Sequence, residues 1–249
     1  IVNTIAEKKQ TAAGEGMSLK PINENRQKAL AQLTSQNRAV TREDYIVRAY
    51  AMPAVFGSVA KVFITPDEQA NLATSEVNDA VANPLALNMY LLGYDNNKNL
   101  TQANRAIKEN LKTYLSQYRM LTDSINLRDA FIVNIAVEFD IVPLPDYNLN
   151  EVLALSVQAM KDFFNIDRWQ INQPIVYGDI ASVLNDVPGV QSVAKVQIKN
   201  LYSQSDGYSN VAYNIAEATR NGIVYPSIDP CIFEVKYPNS DIKGRIASY

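Results

Sequence analysis

The chain of 249 residues reads as an α+β protein. It should hold two small α/β units with a repeated helix-turn-strand element, an N-terminal helical arm and a C-terminal β-rich segment. Three observations carry this reading. Across residues 131–142, Phe131, Val133, Ile135, Val137, Phe139 and Ile141 occupy alternate positions, the period of a strand with one buried face. Across residues 101–118, Ala103, Ile107, Leu111, Tyr114, Leu115 and Tyr118 make one stripe at helical spacing. The heptapeptides at 58–64 (SVAKVFI) and 192–198 (SVAKVQI) differ at one position, and each follows a short helix and a turn containing proline and glycine. Either a supersecondary unit has been duplicated, or two unrelated strands draw on the same β-favouring residues.

The elements follow in order. Residues 1–40 are polar and read as an arm plus one helix, with Ala29, Leu30 and Leu33 at helical spacing within 21–36. The first α/β unit, 41–125, opens at Thr41-Arg42-Glu43-Asp44, a capping-box-like start. Tyr45, Ala49 and Met52 fall on one side of its helix, and Pro53 ends it. A strand at 58–65 sets Ala60, Val62 and Ile64 opposite Lys61, and the apolar run 85–94 is a second strand. Between them, Thr65-Pro66-Asp67-Glu68 signals a helical insert that Pro84 closes.

The second unit, 126–200, contains the alternating strand, whose Asn134, Glu138 and Asp140 face is wet or covered by a partner. Asn150 then caps a helix with Val152, Leu153, Leu155, Val157, Met160, Phe163 and Phe164. So wide an apolar arc predicts burial on more than one side. A short strand at 171–176, a helix at 178–187, the Pro188-Gly189 turn and a strand at 190–198 complete the unit. The last segment, 201–249, is rich in Tyr, Pro, Asn and Asp. Asn221-Gly222 signals a hairpin between 213–215 and 223–225, and 231–237 reads as a final strand. Its poor alternation predicts an edge structure completed by another chain.

Composition narrows function. The chain is 47% hydrophobic and 20% charged, enough to bury a core. No apolar run reaches the ~18 residues of a membrane span, so no membrane partner is expected. The N-terminus lacks a basic region leading into an apolar core. It also lacks an initiating Met, which predicts an excerpt of a longer polypeptide. With no histidine, His-based triads and His metal sites are excluded. One cysteine allows neither an internal disulfide framework nor a Cys zinc cage, and fits a reducing compartment. A net charge of −3 with no basic stripe argues against nucleic acid as a partner.

Few motifs could carry chemistry. Gly14-Glu15-Gly16 is a fragment of a dinucleotide fingerprint, and Gly207-Tyr208-Ser209 lacks the second glycine of a nucleophile elbow. No cofactor or metal is expected. Glu138 and Asp140 project from one strand face and could serve as paired catalytic carboxylates, or simply line a solvated surface. Trp169 reads as helix-end packing and Cys231 as a small buried hydrophobe. The 14 tyrosines offer rigid contact area with a polar tip. Tyr202, Tyr208, Tyr213, Tyr225, Phe233, Tyr237 and Arg245, in the unusual C-terminal segment, are the candidate interface.

Several segments match one family in the correct order. Arg38-Ala39-Val40-Thr41-Arg42-Glu43-Asp44-Tyr45 and the strand at 59–64, then Arg119-Met120-Leu121-Thr122-Asp123 and the strand at 131–142, then 179–184, Val187-Pro188-Gly189-Val190 and 193–198 resemble the J-like baseplate wedge proteins of contractile tails. The likeness runs from about Asn3 to Ile198. Tyr225-Pro226-Ser227-Ile228-Asp229-Pro230 and Asp241-Ile242-Lys243-Gly244-Arg245 are similar to the T4-type members, while the 66–84 insert departs from shorter ones. The resemblance implies a late structural virion protein of the tail baseplate, assembled in the host cytoplasm. It would pair with itself as a homodimer, contact other wedge proteins, link wedges into a ring and transmit the rearrangement that triggers sheath contraction. Rival readings are a carboxylate-dependent tail-associated glycosidase and a monomeric binding module.

Overall fold

The structure is a computed structural model that describes residues 38–66, 86–95, 98–120, 123–227 and 229–247. The helix expected at 21–36 and the body of the 66–84 insert lie outside the described residues. Residues from Val40 onward form one compact unit containing two four-stranded sheets and a small three-stranded one.

Helix α1 (Arg42–Tyr50) starts where the sequence places it. Thr41 Oγ1 accepts from Asp44 N at 3.2 Å, and Asp44 Oδ2 accepts from Thr41 N at 3.0 Å and Val40 N at 3.1 Å. These backbone donors hold the Asp44 carboxyl below its ordinary range. Tyr45, Ala49 and Met52 are buried together.

The first sheet has β2 (Ala86–Tyr94) at its centre. β1 (Lys61–Pro66) runs antiparallel along one edge, Lys61 opposite Leu92. The other edge is shared by β3 (Leu100–Gln102), antiparallel, and β4 (Ser124–Asp129), parallel. A strand flanked on both edges and buried on both faces reads as a continuous apolar run. Lys61, on the other face, is only 3% exposed, and its Nζ donates to the Asp167 carbonyl at 3.1 Å. Helix α2 (Arg105–Ser116) begins later than its periodicity suggests, at an Asn104 cap, because Thr101 and Gln102 are taken into β3.

In the second sheet β5 (Phe131–Pro143) is the central strand. Its odd positions from Val133 to Ile141 are buried as predicted, but Phe131, at the strand's start, is 43% exposed. β7 (Val190–Asn200) lies antiparallel on one edge, and β10 (Cys231–Glu234) and β11 (Ile242–Ile246) lie parallel on the other. The strands of the last segment thus join this chain's own sheet, and β10 is wholly buried in it.

Helix α3 (Leu149–Phe163) is capped by Asn148, two residues before the expected cap. It buries one stripe, Val152, Ser156 and Met160, while Leu149 and Leu155 are 48% and 45% exposed. A helix lying on one face of a sheet buries a single side. A short strand β6 (Ile175–Val176) leads into α4 (Tyr177–Asn185), and Gly189 then turns with φ +92° into β7. Asn221 and Gly222, φ 52° and 75°, make the expected hairpin. It joins β8 (Thr219–Arg220) to β9 (Ile223–Val224), while Ile215 opens the short helix α5 (Ile215–Ala218) instead of a strand.

The two heptapeptides occupy comparable places. β1 and β7 each follow a helix and a turn, and each pairs antiparallel with a central strand that has at least one parallel strand on its far edge. Chain order differs: β1 precedes its central strand and β7 follows its own.

Candidate functional site

The two sheets meet at a seam built from polar side chains. Glu234, on β10, is 3% exposed. Its Oε1 accepts from Leu100 N in the first sheet at 2.9 Å, and its Oε2 accepts from Asn134 Nδ2 at 2.8 Å. Asn134 Oδ1 accepts from Ser209 N at 2.7 Å, and Ser209 Oγ donates to the Ile132 carbonyl at 2.7 Å. One amide and one carboxylate therefore join β3, β5, β10 and the loop after β7. They form the floor of a cavity of about 500 Å³ whose walls include Gln102, Phe131, Tyr208 and Lys236. A second tie lies at Lys61, where Asp167 also receives the Tyr94 hydroxyl at 3.5 Å.

Burial pushes the Glu234 carboxyl above its ordinary value of 4.5, against the opposing effect of its two donors. A carboxylate whose folded pKa is raised adds stability below its unfolded pKa and loses it as pH rises through the folded value. Relative to Glu234→Gln, the parent should therefore lose stability as pH rises from 4.5, which urea unfolding midpoints measure. A difference that does not change with pH would mean that Glu234 titrates normally.

The Glu138 and Asp140 pair lies on the solvent face of the second sheet. Lys243 and Gln197 flank Glu138, and Arg245 and Lys195 flank Asp140, in the cross-strand register. Lys199 Nζ sits 2.7 Å from Glu138 Oε2 and holds that carboxyl below its usual range, helped by Arg245 and Lys243. A general acid needs the opposite shift. The pair forms a charge ladder between strands.

The candidate interface residues divide into two groups. Tyr202, Tyr225 and Tyr237 are 62%, 46% and 40% exposed, and Arg245 is exposed on β11. The others have internal roles. The Tyr208 hydroxyl donates to Asp241 Oδ1 at 2.7 Å; burial, with Asp241 beside it, pushes that hydroxyl up to about 12. Tyr213 donates to the Tyr225 carbonyl and packs edge-on against Phe233, centroids 5.7 Å apart. Phe233 is 2% exposed and belongs to the core, since β10 turns it inward opposite Val133. Trp169 is buried against Phe163 and Phe164, as helix-end packing predicts. Cys231 is buried too, and desolvation pushes its thiol above the ordinary value.

Sequence reasoning missed Asn134 and Glu234 as a pair. The available signal was a lone acidic residue inside the apolar run Cys231-Ile232-Phe233-Glu234-Val235. Among the described residues no cluster of side chains could hold a metal, and no helix is long and apolar enough to cross a membrane.

No protein-family model and no curated protein matches the chain. A solved structure, the six-fold symmetrised cryo-EM structure of an anti-feeding prophage baseplate, aligns over 92% of this chain at TM-score 0.47 and 15% identity. The alignment covers 42% of that chain, so this chain spans less than half its length.

Proposed function

We propose that the chain is part of a structural subunit of a contractile-tail baseplate wedge, which pairs with itself and links neighbouring wedges into a ring. The support is the way the resembling segments meet. Tyr45, in the first, donates its hydroxyl to Asp123 Oδ2, in the second, at 2.7 Å. Leu144 N, just after the long strand, donates to the Gly189 carbonyl of the third at 2.8 Å, and Val190 pairs with Pro143. Segments whose likeness is spread along the chain thus form joints of one body, as expected if they specify a shared architecture.

In this reading the two sheets move as a unit, because the seam is buried and hydrogen-bonded, and contacts at the surface are made or broken around them. Tyr202, Tyr225, Tyr237 and Arg245 are the contacts proposed for self-association, through one isologous surface. Solution mass across a concentration series tests this. A species of about twice 27.7 kDa should form and should weaken by about tenfold or more in Tyr202→Ala with Tyr225→Ala. A mass that stays at 27.7 kDa throughout would contradict it.

A further inference from the structure

β7 has two edges, and among the described residues only one is paired. Along one it is joined to β5 from Val190 opposite Pro143 to Asn200 opposite Ile135; along the other it meets no strand among the described residues. An open edge of 11 residues presents a row of unpaired N–H and C=O groups, the template onto which another strand adds.

The side chains of β7 state what that strand should carry. Toward the core are Val193 and Val196, both half-buried, and Ile198; toward solvent are Lys195, Gln197 and Lys199, all exposed. The strand already paired shows the matching chemistry. β5 sets Ile141, Phe139 and Val137 against the apolar row, Asp140 against Lys195 and Glu138 against Gln197, with Glu138 reaching Lys199. Lys195 makes no ion pair among the described residues, so its charge is open to a strand on the far side.

A second copy of the chain is a poor occupant. Two β7 edges related by a two-fold axis perpendicular to the sheet would bring Lys195 and Lys199 against the same lysines, and like charges across strands repel. This repulsion guards against self-pairing while leaving the edge open to a strand of opposite charge.

We propose that the open edge of β7 accepts, as an added strand, an extended segment of another protein in which acidic and apolar residues alternate. The inference stands on the strand's geometry and holds whether or not the chain builds a baseplate.

Two synthetic peptides test it: one with the sequence of residues 135–141 (IAVEFDI), the other with lysine at its two acidic positions. Calorimetric titration and amide hydrogen exchange are read on the full chain and on Lys195→Glu, an exposed substitution whose fold is checked by circular dichroism. The acidic peptide should slow exchange at amides within 191–199. Lys195→Glu should weaken its binding about fivefold or more and reverse the preference toward the lysine peptide. Unchanged exchange in β7 at saturating acidic peptide, or equal binding by Lys195→Glu, would overturn the proposal. Protection of β7 that rises with the chain's own concentration, without peptide, would also overturn it by making a second copy the occupant.

Discussion

Gly189→Ala should lower stability by about 2–6 kcal/mol, a strain of about 1–3 kcal/mol at positive φ plus overpacking of about 1–3 kcal/mol. Gly189 sits at φ +92°, where a side chain is strained whatever the space. A Cβ there would also lie 2.6 Å from Val152 Cγ2 and 2.7 Å from Tyr147 Cδ1. Tyr147, 48% exposed, can swing aside, but Val152 cannot. Val152 is in the buried stripe of α3, and the backbone of the turn is fixed by the bond from Leu144 N to the Gly189 carbonyl. Gly222→Ala separates the two causes. Its φ is +75°, but nothing lies within 4 Å of an added Cβ, so only the strain applies, about 1 kcal/mol. Thermal melts of the two variants should differ by several degrees, at about 2–4 °C per kcal/mol for a chain of this size. Equal losses would show that α3 does not press on the turn.

Asn134→Ala should cost about 3 kcal/mol, because it strips partners from the buried Glu234 carboxylate and the half-buried Ser209 N at once, at about 1–3 kcal/mol each. Ser209 N loses its acceptor and Glu234 Oε2 loses its donor. Glu234 can relieve part of its share by taking a proton, so the loss should grow with pH. A double-mutant cycle with Glu234→Gln isolates the contact. The two residues hydrogen-bond directly, and a coupling above about 0.5 kcal/mol is expected. Simple additivity would mean that the seam is held by apolar packing and that the polar bridge contributes little.

How much of this was legible in the sequence depends on where the determining contacts lie. α1 could be read because Thr41 and Asp44 cap each other across three residues, and β5 because one face is core from Val133 to Ile141. β4 could not. Ser124-Ile125-Asn126-Leu127-Arg128-Asp129 has only two large apolar residues, and it is a strand because it runs parallel to β2. β11 is similar: Gly244 lets it pass where a Cβ would meet Phe139 Cζ at 2.7 Å, a constraint set more than 100 residues earlier. The arc on α3 misled because Leu155 obeys helical periodicity yet faces away from the sheet. Within the candidate interface, exposed and buried tyrosines share one composition. Only tertiary contacts separate Tyr202 from Tyr208, whose hydroxyl is held by Asp241.

The remaining invisible feature is the seam. Glu234 and Leu100 are 134 positions apart, and no local pattern links a glutamate in one sheet to a backbone amide in another. The lone acid in an apolar strand was the trace of that bond. A buried carboxylate with no partner would cost several kcal/mol, so its presence in the β10 sequence already required a donor somewhere in the fold.

Cross-linking mass spectrometry on intact contractile tails that carry the full-length protein is the most direct test of the assembly proposed here. The account predicts links between two copies of this chain near Tyr202, Tyr225 and Tyr237, links to other wedge proteins, and links within a copy joining the first sheet to the second. A chain absent from the tails, or present there with neither self-links nor links to wedge proteins, would contradict it.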